Sequence, residues 1–118
     1  MSIRLGTIVF DTADLEAESS FWWRVLGGTV QKDDDWHELV LEGSPNLAFQ
    51  LAPDHVRPDW PDGEPQQIHL DLYVDDVSSS HESVMAAGAE FLRGSELDAD
   101  EGFRVYADPS GHPFCLCW

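Results

Sequence analysis

Residues 6–30 read GTIVFDTADLEAESSFWWRVLGGTV and residues 68–92 read IHLDLYVDDVSSSHESVMAAGAEFL. Laid over one another at an offset of 62, with a slip of one residue near the glycines, the two stretches share a pattern. Each opens on a short alternating strand, meets aspartates, continues as a helix, stops at glycine and resumes as a strand. A repeat of this kind decides the fold before any local feature does. Asp14 and Asp76 sit where each helix must begin. A carboxylate there accepts the unpaired backbone N–H groups of the first turn and meets the positive end of the helix dipole. Phe21, Trp22, Val25 and Leu26 form an apolar stripe at helical spacing, so the two tryptophans Trp22 and Trp23 read as core and helix surface. Val77, Val84 and Ala87 form a thinner stripe, and Gly27 and Gly88 are suitable helix stops. The expected helices cover about 14–26 and 76–87.

Working outward, each helix is followed by three strand-like runs. These are Thr29 to Lys32, Trp36 to Leu41 and Leu47 to Leu51, then Ala89 to Leu92, Phe103 to Ala107 and Pro113 to Trp118. Glu42-Gly43-Ser44-Pro45-Asn46 and Asp108-Pro109-Ser110-Gly111-His112 supply the turn residues between them. Pro53 to Gln66 carries four prolines and reads as a linker. The fold expected is α+β, one domain over 1–118 made of two βαβββ modules, about 1–52 and 66–118, joined by a linker over 53–65.

Composition sets outer bounds. The chain has 118 residues, enough for one hydrophobic core, with 23 acidic against 6 basic side chains and a formal net charge of -17. Such a field repels phosphates, which excludes nucleic acid and anionic membrane as partners and favours a cationic ligand. The same charge also serves plain solubility. No apolar run is long enough to cross a membrane, and no leader-like segment opens the sequence, so a cytoplasmic protein is expected. Cys115 and Cys117, one residue apart on a strand, are too close for an unstrained disulfide and lack the second pair of a structural zinc site.

The ordered set Val74-Asp75-Asp76-Val77, Ala87-Gly88-Ala89 and Asp108-Pro109-Ser110-Gly111-His112-Pro113-Phe114, taken with the repeat, resembles the vicinal oxygen chelate superfamily. This group includes glyoxalase I, extradiol dioxygenases, fosfomycin-resistance enzymes and bleomycin-binding proteins. Gln67-Ile68-His69-Leu70-Asp71-Leu72 and Gly111-His112-Pro113-Phe114-Cys115-Leu116 are similar to the small bacterial glyoxalase-like domains. The resemblance covers essentially the whole chain and implies a curved, cleft-bearing mixed sheet with the helices outside. It speaks to fold more than to reaction, because the scaffold hosts many chemistries.

In the metal-dependent members one ligand comes from the first strand and one from the last strand of each module. Carried over, those positions fall on Thr7, Gln50, His69 and Cys115. Strand alternation agrees: if Ile8, Phe10, Phe49, Leu51, Ile68, Leu70, Leu72, Phe114 and Leu116 face the helices, these four face the other way. Trp36, Glu38, Asp71 and Phe103 complete the candidate binding residues. The four carried-over positions lack the carboxylates and imidazoles that hold a divalent cation, so no metal and no cofactor are expected unless Asp71 or Glu38 is recruited. His112 is expected to brace its turn, His37 to face away from Trp36, His81 to be exposed, and His55 to lie in the linker.

The function expected is binding of a small organic molecule, cationic by preference, in the cleft without a catalytic metal. The alternative is a metal-dependent lyase or dioxygenase of the same superfamily with a rebuilt site, or a metal-free catalyst using His69 and Cys115. A third reading is a domain that mainly mediates association. A homodimer is expected because thin modules leave apolar surface uncovered, with Trp60 and Trp118 as candidate anchors.

Overall fold

The computed structural model describes residues 5–59, 62–63 and 68–118, so Trp60 lies outside the described residues. The chain divides into two compact units, Met1–His55 and Val56–Trp118. The first contains β1 (Thr7–Thr12), α1 (Leu15–Leu26), β2 (Thr29–Lys32), β3 (Trp36–Val40) and β4 (Asn46–Leu51). The second contains β5 (Leu70–Tyr73), α2 (Val77–Ala87), β6 (Glu90–Gly94), β7 (Phe103–Ala107) and β8 (Pro113–Cys117). Each forms a four-stranded mixed sheet with the same order, β1-β4-β3-β2 and β5-β8-β7-β6. In both, the first strand runs parallel to the last, and the remaining pairs are antiparallel. This is the βαβββ plan twice, as the repeat requires.

The helix ends follow from their residues. Asp14 accepts the Ala17 N–H at 3.1 Å, and Asp76 accepts those of Ser78 and Ser79 at 3.1 and 3.3 Å. Gly27 (φ 74°) and Gly88 (φ 116°) close the helices in a backbone region that a Cβ disfavours.

Beneath α1 lies an aromatic core. Phe10, Phe21, Trp22, Leu39, Leu47 and Phe49 are buried, and Trp22 packs edge-on against Phe10 at 5.7 Å and Phe21 at 5.1 Å. Trp23, on the next helical position, is 49% exposed, so the paired tryptophans divide between core and surface. His37 turns away from Trp36 and is buried against the Ser19 hydroxyl at 2.8 Å from Nδ1.

Beneath α2 the packing takes in a guanidinium and a phenol. Val77 and Val84 are the helix's buried residues. Tyr106 stacks on Phe114 at 5.5 Å, and the Arg104 guanidinium lies 3.9 Å from the centre of the Phe91 ring. Arg104 Nε donates to the Tyr106 hydroxyl at 3.1 Å, and the same hydroxyl shares a hydrogen bond with His81 Nδ1 at 2.8 Å. His81 is therefore half-buried and bonded, not exposed as expected. Its helix is too thinly apolar to seal the sheet alone, and the imidazole fills part of the gap against Phe91 and Tyr106. Strand β6 also runs to Gly94, two residues past the expected end, through an irregularity between Phe91 and Arg93. The turn before β8 is fastened by Asp108, whose Oδ1 accepts from the Ser110 and His112 N–H groups at 3.0 and 2.8 Å while Oδ2 lies 3.0 Å from His112 Nδ1. Both cysteines are free thiols. Among the described residues no helix is long and apolar enough to cross a membrane.

Candidate functional site

Alternation along each strand leaves one face of each sheet turned from its helix. On the first unit's open face the ladder forms three rungs. Thr7 pairs with Asn46, Val9 with Ala48 and Asp11 with Gln50 across β1 and β4, while Glu38 pairs with Ala48 and Trp36 with Gln50 across β3 and β4. Thr7 and Gln50 thus share a face but stand four residues apart along the ladder, about 13 Å at the usual rise per residue. Glu38 is held by the Asn46 amide at 3.1 Å and, more loosely, by the Trp36 indole N–H at 3.4 Å. Ala48, between them, is fully buried.

The second unit's open face is built differently. Asp71 pairs with Cys115 across β5 and β8, Cys115 with Val105 across β7, and Cys117 with both Tyr73 and Phe103. Two residues before Asp71, His69 presents to the same face, and its Nε2 lies 3.1 Å from Asp71 Oδ1. One ligand atom each from His69, Asp71 and Cys115 lie within 4.8 Å of one another. His69 and Asp71 keep 44% and 48% of their side-chain surface exposed, whereas Cys115 is buried. The aromatic rim is open: Tyr73 is 86% and Phe103 53% exposed. Farther along this face, at the Ala107–Glu90 rung, a groove of about 380 Å³ is lined by residues including Arg57, Asp59, Glu90 and Ala107. Arg57 closes one side of it through Glu90 at 3.1 Å and the Pro109 carbonyl at 2.9 Å.

Electrostatics settle what the thiol can do. Burial pushes Cys115 up from 9.0 to about 12, and the Asp71 charge, Cys117 and a hydrogen bond to Asp71 add to the effect. Cys117 is raised as well, by burial and then by Asp71. A thiol so placed stays protonated at neutral pH and donates to the carboxylate, so it is no ready nucleophile.

The ladder brings together three of the eight candidate residues, His69, Asp71 and Cys115, with Phe103 one rung away. Trp36, Glu38 and Gln50 neighbour one another in the other unit, and Thr7 stands apart from them. Aligning the two ladders through their repeat puts Ala48 on the rung of Cys115, and Gln50 on that of Cys117. Sequence reasoning gave no special weight to Tyr73, the most exposed large apolar side chain among the described residues. Its signal was present, since it alternates with Asp71 along one strand.

The family arrangement of four metal donors, two from each module, does not fit this chain. Thr7 and Gln50 are neutral and stand far apart on the ladder, and the rung equivalent to Cys115 carries an alanine.

Comparison with known proteins places these features in a wider set. Residues 7–117 match the sequence profile described as the glyoxalase-like domain. A glyoxalase/bleomycin resistance protein/dioxygenase family enzyme from Burkholderia phytofirmans shares 20% identity with a TM-score of 0.74, over 98% of each chain. Fosfomycin resistance protein FosX from Mesorhizobium loti shares 18% identity at 0.74, over 99% of this chain and 92% of its own. A glyoxalase-related enzyme from Fulvimarina pelagi shares 21% at 0.72, over 97% and 86%. At such identities the likeness is one of fold. No curated protein matches the sequence.

Proposed function

The chain belongs to the glyoxalase-like domain family, and on that premise we propose that it binds a small organic cation on the open face of its second module, without a catalytic metal. The observation that carries this reading is the cluster at Asp71, a half-exposed carboxylate oriented by His69 at 3.1 Å and by the Cys115 thiol. An anion held by two flanking groups is preorganised to receive an ammonium or guanidinium. Tyr73 and Phe103 on the same face offer ring surfaces to the ligand's body, worth about 0.5–2 kcal/mol for each cation–π contact. The net charge of -17 draws cations toward the protein.

The enzymatic alternatives fare less well. A metal-dependent lyase or dioxygenase of the family's kind needs donors from both modules, and Thr7 and Gln50 supply neither charge nor convergence. A Cys–His nucleophile needs a thiolate, which burial and Asp71 both oppose. Binding is tested on chelator-dialysed protein by titrating aromatic amines and guanidines. His69→Ala should weaken any bound member by about 1–3 kcal/mol, roughly 5- to 150-fold, by removing a partner of Asp71. Full affinity in that variant would move the site elsewhere.

A homodimer in the cytoplasm completes the proposal. Exposed Val9, Tyr73 and Phe103 make apolar surface available for self-association. Trp118 is partly engaged already, its indole N–H donating to the Ala99 carbonyl at 2.8 Å. Sedimentation should report a dimer at micromolar concentration, and a monomer at high micromolar concentration would contradict it.

A further inference from the structure

We propose that the first module carries a binding site of its own, for a neutral sugar ring of the pyranose type, in the groove between α1 and the outer edge of β2. The site uses none of the side chains assigned to the organic cation and does not rest on that reading.

The groove, of about 360 Å³, follows from how the chain leaves its helix. Gly27 and Gly28 have φ of 74° and 89°, and a Cβ on Gly28 would lie 2.5 Å from the Val40 carbonyl. Only glycine therefore lets the chain pass this close to β3 and begin β2 directly beyond the helix. Strand β2 is outermost in its sheet and bonds to β3 alone, which leaves its other backbone edge open beside α1. Ser20 and Trp23, one turn apart on the helix, form one wall, and Gly28, Thr29 and Lys32 form the other. Ser19 also borders the groove, but it is buried and its hydroxyl is engaged by His37 at 2.8 Å.

The groups that remain choose the occupant. Trp23 keeps 49% of its surface exposed. Its indole N–H and the hydroxyls of Ser20 and Thr29 have no hydrogen-bond partner among the described residues. Lys32, the only lysine in the chain, is held by Glu16 at 3.0 Å, so an ammonium and a carboxylate stand together at one end of the groove. A charged ligand is opposed whatever its sign, because a cation meets Lys32 while an anion meets Glu16 and the field of a net charge of -17. A neutral polyol meets neither obstacle. Its hydroxyls donate and accept in turn, as do the Ser20 and Thr29 hydroxyls and the two members of the ion pair between them. The C–H face of a pyranose is flat and apolar and covers the indole ring, while the rim of both partners stays polar. The second module lacks this wall, since at the offset of the repeat Glu82 and Met85 stand where Ser20 and Trp23 do.

The test is an ¹⁵N chemical-shift titration with methyl glycosides of neutral hexopyranoses. At least one glycoside should shift the Trp23 indole N–H and the Ser20, Gly28 and Thr29 amides saturably, at about millimolar concentration. Read at the amides, Trp23→Ala should weaken it roughly tenfold by removing the stacking surface. Ser20→Ala and Thr29→Val should each weaken it roughly 2- to 13-fold by removing a hydroxyl, and Tyr73→Ala in the other module should leave it unchanged. Trp23, Ser20 and Thr29 are exposed, so the variants should keep the wild-type far-ultraviolet circular dichroism. No saturable shift with any glycoside, affinity unchanged in both Trp23→Ala and Thr29→Val, or tighter binding of benzylammonium or benzoate at these same signals would each overturn the proposal. The cation site is read at His69, Asp71 and Cys115, so failure in one module leaves the reading of the other standing.

Discussion

In the first module the helix-covered face is a cluster of rings around Trp22, and its open face scatters Thr7, Glu38, Trp36 and Gln50 along three rungs. In the second, Arg104, Tyr106 and His81 run a polar network under the helix, while His69, Asp71 and Cys115 converge on the open face. The backbone plan and strand order are the same. Both modules bury polar groups, but the first packs its helix on a cluster of rings and ties Glu38 to Asn46 and Trp36 on the other face, whereas the second gathers an imidazole, a carboxylate and a thiol there.

The largest effect should come from the apolar side of that contrast. Trp22→Ala removes a fully buried indole and should cost about 3–5 kcal/mol in denaturant unfolding, whereas Val84→Ala under α2 should cost about 1–2 kcal/mol. Equal losses would mean that the two cores are not so different.

Next is the thiol. With its proton held up to about 12 from 9.0, Cys115 should alkylate with iodoacetamide roughly a thousandfold more slowly at mildly alkaline pH than an unperturbed thiol in denaturant. The same shift has a linkage consequence. Because the folded value lies above the unfolded one, the contribution is fully present below about pH 9, and it is lost as pH rises toward 12, since the unfolded chain releases its proton first. Cys115→Ser should remove that part of the alkaline decline measured by thermal unfolding. An unchanged slope would mean that burial, with the Asp71 charge beside it, does not hold the proton on this thiol.

A smaller loss should follow Tyr106→Phe. The change deprives Arg104 Nε and His81 Nδ1 of a shared buried hydroxyl and should cost about 1–3 kcal/mol by chemical denaturation. Arg104 keeps the Ser95 carbonyl at 2.7 Å and the Phe91 ring, which limits the damage. A neutral substitution would show that the network is incidental to the second core.

The fold was legible because its signals are local. Asp14, Gly27, Asp76 and Gly88 mark both helices, and period-two alternation marks most strands. What stayed hidden depends on register and on packing across layers. Gln50 looked equivalent to Cys115 by being near the end of its module's last strand, but the ladder puts Ala48 on that rung. A two-residue slip preserves the face and so passes any alternation test. His81 looked exposed because nothing in its own helix announces Tyr106, 25 positions along the chain. His69 and Cys115 were named from the resemblance and Asp71 from its face, and the adjacency of β5 and β8 brings the three together.

The most direct measurement is an ¹⁵N chemical-shift titration of chelator-dialysed protein with a panel of aromatic amines and guanidines. A binder should perturb amides around His69, Asp71 and Cys115, leave Thr7 and Gln50 still, and weaken roughly 5- to 150-fold in His69→Ala. Shifts centred on Trp36, Glu38 and Gln50, or binding indifferent to His69→Ala, would contradict that expectation.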